Sequence, residues 1–60
     1  MAPHSDAPLS AEDIRRELLH RAIALGEELV RLADDLGEPV AGNHICQGIE
    51  MMRLSIATPR

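Results

Sequence analysis

The chain has 60 residues, a formal net charge of −4 and no Phe, Tyr or Trp, so it forms at most one small domain. The acidic balance argues against non-specific nucleic-acid binding and against binding to an anionic membrane surface, both of which need basic residues. Chains of this length commonly need disulfides, a metal or oligomerisation for stability. The single cysteine, Cys46, excludes a disulfide within the chain.

Residues 1–9, MAPHSDAPL, are predicted to form a flexible N-terminal arm, because prolines, serine and aspartate interrupt any hydrophobic period. The arm has neither the basic region nor the apolar run of a secretory signal, and a lone thiol suits a reducing compartment, so we expect a cytoplasmic protein. The longest apolar run, 22–25, is too short to span a membrane. All six Lys and Arg positions hold Arg, a usage typical of GC-rich bacterial genomes.

The first helix is predicted over about 11–36. Ser10 is a favourable N-cap residue, and Asp13 stands three residues on, as in a capping box. Apolar residues then recur at spacings of three and four. Gly37 follows directly and is suited to the left-handed backbone that ends a helix.

Two apolar strips run side by side along this first helix. Together they cover about half of its circumference, which is wider than the seam between two helices. The helix therefore requires at least two neighbours. The first strip comprises Leu18, Ala22, Leu25, Leu29, Leu32 and Leu36, and the second comprises Leu19, Ile23, Gly26, Val30 and Ala33.

Charged residues on the first helix predict three ion pairs at the i,i+4 spacing, with the acid first, which is the favourable order. Near its C-terminal end, Asp34 and Asp35 oppose the helix dipole, and nothing in the sequence explains them. The predicted pairs are Glu12–Arg16, Glu17–Arg21 and Glu27–Arg31.

The second helix begins either with Pro39 at its first position or with Asn43 as the N-cap of a shorter helix. Two helical stripes favour the longer version, over about 39–57, although Gly42 and Gly48 weaken it by about 1 kcal/mol each. Residues 58–60 are predicted to be a C-terminal tail. One stripe comprises Ala41, Ile45, Gly48, Ile49, Met52 and Ile56, and the other comprises Val40, His44, Met51 and Leu54.

These elements predict an all-α domain over 10–57, an antiparallel two-helix hairpin with a tight turn at 37–38. A single hairpin buries only one strip of each helix, so the simplest completion is a homodimeric four-helix bundle. The alternative is a different helical protein that supplies the missing helices. The predicted dimer or partner interface comprises Leu18, Leu19, Ala22, Ile23, Leu25, Gly26, Leu29, Val30, Leu32, Ala33, Leu36, Ile45, Ile49, Met51, Met52 and Ile56.

His20 falls near the middle of the polar side of the first helix, which is where a solvated surface histidine lies. The run Glu17–Ala22, ELLHRA, resembles the phosphoacceptor box of the HWE-type sensor kinases. The resemblance implies a dimeric phosphotransfer module with His20 as phosphoacceptor. Where that family has a basic or polar residue followed by Asn, this chain has Ile23 and Ala24.

His44 lies within the apolar arc of the second helix, which predicts a core or interface histidine; the functional hypothesis is a pH-sensitive interface contact. Cys46 is predicted to be a small buried or half-exposed thiol, and the alternative is an intermolecular disulfide or redox role. The two residues differ by about 200° around a helix, so they do not form a metal pair. No closed zinc spacing is present, and we expect neither metal nor cofactor.

The sequence contains no arrangement of nucleophile, base and orienting residue, and no Gly-rich phosphate loop with a Lys. We therefore expect a non-enzymatic interaction or regulatory protein. A further hypothesis is an RNA-binding regulator, similar to the dimeric helical-hairpin proteins of plasmids. Its surface would consist of Arg15, Arg16, Arg21 and Arg31. Interleaved acids argue against nucleic acid as a partner: Glu12, Glu17, Glu27 and Glu28.

Overall fold

The computed structural model describes residues 10–58, which form two helices, α1 (Ala11–Asp35) and α2 (Pro39–Ala57). The helices pack against each other and run antiparallel, and the described residues contain no strand. The all-α hairpin predicted from the sequence is confirmed. The predicted arm, 1–9, and the last two residues of the predicted tail lie outside the described residues.

Helix α1 begins where the sequence predicts. The backbone of Ser10 is extended (φ −71°, ψ 161°), and its hydroxyl oxygen accepts a hydrogen bond from the backbone N–H of Asp13 at 3.1 Å. This bond satisfies one of the N–H groups that the first turn leaves unpaired. Glu12 and Asp13 add negative charge at the positive end of the helix dipole.

Helix α1 ends in a Schellman motif at the turn. Gly37 has a positive φ of 71°, its N–H donates to the carbonyl of Asp34 at 3.1 Å, and the N–H of Glu38 donates to the carbonyl of Ala33 at 2.9 Å. Leu36 is the C-cap rather than the last helical residue, so the predicted end was one residue too late.

Helix α2 begins at Pro39, and the shorter version that starts after Asn43 is wrong. Proline suits this first position because the N–H that it lacks has no partner inside a helix. The first bond of the helix runs from the N–H of Gly42 to the carbonyl of Glu38 at 2.9 Å. At the other end, the N–H and hydroxyl of Thr58 both donate to the carbonyl of Leu54.

The contact between the helices is small. Its buried hydrophobic residues are Ile23, Ala33 and Ile49, with exposed fractions of 9%, 5% and 5%. They belong to the second strip of α1 and to the first stripe of α2, so these two predicted sets face each other. The half-buried apolar residues around them are Leu19, Ala22, Val30, Ile45, Met52 and Ile56.

Two glycines lie where the helices approach each other. A Cβ atom at Gly26 would lie 2.9 Å from Cγ1 of Ile49 and 3.1 Å from its Cδ1, so the missing side chain makes room for Ile49. A Cβ atom at Gly42 would lie 3.7 Å from the Cβ of Ala33, which is an ordinary contact. Only Gly26 is therefore required by the packing.

Alanine at these two glycines should have opposite effects. Gly26→Ala should lower the free energy of unfolding by about 1 kcal/mol, because overpacking costs about 1–3 kcal/mol and outweighs the gain in helix propensity. Gly42→Ala should raise it by up to about 1 kcal/mol. Urea unfolding followed by circular dichroism, at one protein concentration, measures both. A Gly26→Ala protein as stable as the parent would contradict the close contact with Ile49.

Candidate interaction surface

Nine large apolar side chains lie outside the contact between the helices, with exposed fractions from 48% to 75%. On α1 they extend the first predicted strip, and on α2 they belong to the second predicted stripe. We call this set the apolar face. It comprises Ile14, Leu18, Leu25, Leu29, Leu32, Leu36, Val40, Met51 and Leu54.

The exposed stripes of the two helices lie on one side of the hairpin. At about 100° per residue, each exposed stripe precedes the buried strip of its own helix in the same rotational sense. Because the helices are antiparallel, the same sense leads Val40 and Met51 toward the same side as the exposed stripe of α1, whereas Leu54 points away from α1. Near the turn, the exposed stripe of α1 borders the other stripe of α2, because residues of both line one depression of about 370 Å³. Its apolar lining comprises Leu29, Leu32, Ala33, Leu36, Ala41 and Ile45.

The opposite side of the hairpin is polar. An ion pair between Glu27 and Arg53 joins the two helices there, with both side chains about half exposed. Beside it lie Arg31, Cys46 and Glu50, which share with the ion pair a depression of about 440 Å³. We call these five residues the polar face. The hairpin thus has two chemically different sides.

Ion pairing on α1 differs from the sequence prediction. The ion pairs in the described residues are Glu27–Arg53 and two pairs at the i,i+3 spacing, Asp13–Arg16 at 4.0 Å and Glu28–Arg31 at 2.8 Å. None of the three predicted i,i+4 pairs is among them. For Glu27 the reason is visible, because its carboxylate contacts α2 rather than the next turn of α1.

His20 is exposed on α1. It shares a surface depression with Asp13, Arg16 and Glu17, and its side chain takes part in no hydrogen bond or ion pair among residues 10–58. The phosphoacceptor role remains a hypothesis. The RNA-binding hypothesis also remains one, although Arg16 and Arg31 are already paired with carboxylates.

His44 and Cys46 are both exposed and lie on different sides of α2. His44 precedes Met51 by two helical turns and follows Val40 by about one, which places it on the side of the apolar face. A core position for His44 is therefore wrong for the hairpin, and the interface role stays a prediction. Of the two states predicted for Cys46, buried or half-exposed, the buried one is wrong, because the residue is exposed on the polar face.

The sixteen predicted interface residues separate into two groups. Ten contribute to the strips that face each other inside the hairpin, and six lie on the apolar face: Leu18, Leu25, Leu29, Leu32, Leu36 and Met51. Three further residues of the apolar face were not in the predicted set. Spacing was the available signal, because Ile14 precedes Leu18 by four residues and Leu54 follows Met51 by three. Val40 is the third.

Among residues 10–58, no three His, Cys, Asp or Glu side chains are grouped so that they could hold a metal ion. Neither helix combines the length and the apolar character that crossing a membrane requires. No protein-family model matches the chain, and neither a curated protein nor a solved structure matches it. The two faces of the hairpin are therefore the basis for a functional argument.

The ion pair between Glu27 and Arg53 should contribute little, because exposed pairs are typically worth about 0.2–1 kcal/mol. A double-mutant cycle with Glu27→Gln and Arg53→Gln should give a coupling energy in that range, falling as salt is added. Glu28→Gln, which breaks the pair with Arg31 on the same helix, combined with Arg53→Gln is the control and should show no coupling. Zero coupling between Glu27 and Arg53 would contradict the interhelical contact.

Proposed function

We propose that the protein is a small, non-enzymatic helical interaction protein that homodimerises through its apolar face into a four-helix bundle and regulates or scaffolds a partner protein. The proposal rests on the imbalance between buried and exposed apolar side chains. The hairpin buries three hydrophobic residues, whereas nine large apolar side chains remain about half to three-quarters exposed. A protein of this kind uses its surface rather than a catalytic centre.

Burial of the apolar face would contribute a large stabilising free energy for so small a chain. Full burial of an aliphatic side chain contributes about 1.5–3 kcal/mol, so the exposed parts of these nine correspond to roughly 8–16 kcal/mol per protomer. Monomeric proteins rarely expose a contiguous apolar patch of this kind, and such a patch commonly marks an interaction site. In helical bundles, an exposed apolar strip of this kind is buried by a second layer of helices.

The proposal assigns partner binding to the polar face. This side stays accessible when the apolar face is covered, and it combines charges of both signs, around Glu27 and Arg53, with the thiol of Cys46. An exposed single thiol suits a reducing compartment, so the proposal places the protein in the cytoplasm.

The dimer is tested by introducing a polar residue into the apolar face. Leu25 is 68% exposed in the hairpin, so Leu25→Asn should disturb association far more than the fold of one hairpin. Because each dimer loses two leucines, the dissociation constant should rise at least tenfold. Ala24→Asn is the matched control, since Ala24 is the exposed neighbour that lies off the apolar face.

Light scattering coupled to size exclusion measures the mass of each variant. The parent and Ala24→Asn should elute as dimers, and Leu25→Asn should shift toward the monomer of 6.6 kDa. A folded parent that is monomeric at high concentration would contradict homodimerisation. It would instead favour a different helical protein as the occupant of the apolar face.

His44 gives an independent test of where the interface lies. Replacing an imidazole by an aliphatic side chain of similar size on the apolar face should strengthen the dimer, because His44→Leu adds apolar area to the interface. We expect the dissociation constant to fall, as measured by sedimentation equilibrium. His20→Leu, on the polar side of α1, is the control and should leave it unchanged. A weaker dimer in His44→Leu would show that a hydrogen bond of the imidazole is required.

A further inference from the structure

We infer that the second copy docks head to tail, with the two-fold axis across the helices, so that α1 packs antiparallel on α1 of the second copy and the two turns lie at opposite ends of the bundle. The inference rests on the proposed homodimer and specifies its geometry. The competing arrangement has its two-fold axis along the helices. It places α1 on α2 of the second copy and brings both turns to the same end.

The apolar face supplies much of the area that an interface with a second copy buries. On the scale that relates transfer free energy to area, the exposed parts of its nine side chains amount to roughly 300–650 Å² per protomer. A standard interface buries about 800 Å² per partner, and the residues between these side chains add to the total. These nine side chains alone therefore supply roughly two-fifths to four-fifths of a standard interface.

Five of the six apolar-face residues of α1 are arranged symmetrically about Leu25, and the sixth, Leu29, has Arg21 at the matching position. Leu18 and Leu32 each lie seven residues from Leu25, and Ile14 and Leu36 each lie eleven residues from it. When two copies of α1 cross antiparallel at Leu25, Leu18 faces Leu32, and Ile14 faces Leu36, twice in each dimer. A two-fold axis across the helices requires this self-complementarity.

Gly48 provides a second symmetric centre at nearly the same level. The contact between Gly26 and Ile49 places Gly48 beside the middle of α1, within about one helical turn of Leu25. A Cβ atom at Gly48 would meet nothing within 4 Å, so the hairpin itself does not require glycine there. Ala41 and Ser55 lie seven residues on either side of it. An antiparallel crossing of two α2 helices at Gly48 would use these small side chains for a close approach.

Charge distinguishes the two arrangements most clearly. The turn end of the hairpin is acidic, since it carries Asp34, Asp35 and Glu38. The last turn of α1 contains no basic residue to compensate them, and the two aspartates lie at the negative end of its dipole. Bringing two turns together would place six carboxylates at one end of the bundle. Head-to-tail docking instead places each turn beside two arginines near the opposite end of α1, Arg15 and Arg16.

A specific pair follows from the same geometry. Arg21 and Glu28 lie seven residues apart on one edge of the apolar face, four and three residues from Leu25. In the head-to-tail dimer, Arg21 faces Glu28 of the second copy, and the contact occurs twice. In the competing arrangement this edge of α1 faces α2, whose two charged residues, Glu50 and Arg53, belong to the polar face.

Distances between spin labels test the orientation directly. In a Cys46→Ser background, a nitroxide at Asp35→Cys lies ten residues from Leu25, about 15 Å along the helix. Head-to-tail docking should therefore separate two such labels by about 30 Å or more, as measured by double electron–electron resonance. Docking with both turns at one end should bring them within about 20 Å, which would overturn the inference.

A second label, near the centre of the bundle, tests whether the homodimer forms separately from how it is oriented. A nitroxide at Ala24→Cys lies one residue from Leu25, so head-to-tail docking should give a distance clearly shorter than that at Asp35→Cys, whereas the competing arrangement should give similar distances at the two positions. A short distance at Ala24→Cys with about 30 Å at Asp35→Cys supports head-to-tail docking. No dipolar coupling at either position would overturn the homodimer itself, and with it the inference.

Exchange of charges tests the predicted contact between Arg21 and Glu28. Arg21→Glu and Glu28→Arg should each raise the dissociation constant, by between about twofold and thirtyfold for the two exposed pairs in a dimer. The double variant should return it to within about twofold of the parent. A double variant as weak as the sum of the single changes would overturn the head-to-tail arrangement.

Discussion

A layer of two helices covers only one strip on each helix, and the other features of this protein depend on that limit. The covered strips meet where Gly26 gives room to Ile49, and this contact fixes how closely the helices pack. Without aromatic side chains, the chain has no large residue that could fold over the remaining apolar surface. The uncovered leucines of α1 are therefore a consequence of the architecture rather than an isolated feature.

The two sides of the hairpin suit two different roles. The apolar face concentrates its large side chains on α1, where five of the six are arranged symmetrically about Leu25, whereas the polar face joins the helices through Glu27 and Arg53. Self-association on one side leaves the other side for contacts with different proteins. The carboxylates at the turn oppose the dipole of α1, and in the proposed head-to-tail dimer they would lie beside arginines of the second copy.

Local signals made the helix boundaries predictable. Ser10, Gly37 and Pro39 act through bonds or backbone angles within a few residues, and the boundaries they indicate agree with the structure to within one residue. Periodicity also identified both apolar strips. It could not tell which strip of α1 meets α2, because a periodic pattern gives both strips the same weight.

The candidate site was predictable only in part. The sequence assigned leucines such as Leu25 and Leu32 to an interface. It could not distinguish them from residues buried inside the hairpin, such as Ile23, because that distinction depends on how the two helices pack. The ion pair between Glu27 and Arg53 joins residues 26 positions apart, and no local rule indicates it. His44 appeared to belong to the core because its stripe is apolar, yet that stripe is the exposed one.

We propose that the hairpin is stable as a pair rather than alone. Thermal unfolding followed by circular dichroism, over two orders of magnitude in protein concentration, tests this proposal. The midpoint should rise with concentration, because association stabilises only the folded chain, and the folded species should have twice the mass of the 6.6 kDa chain. A midpoint that does not change with concentration, for a folded species of 6.6 kDa, would contradict it.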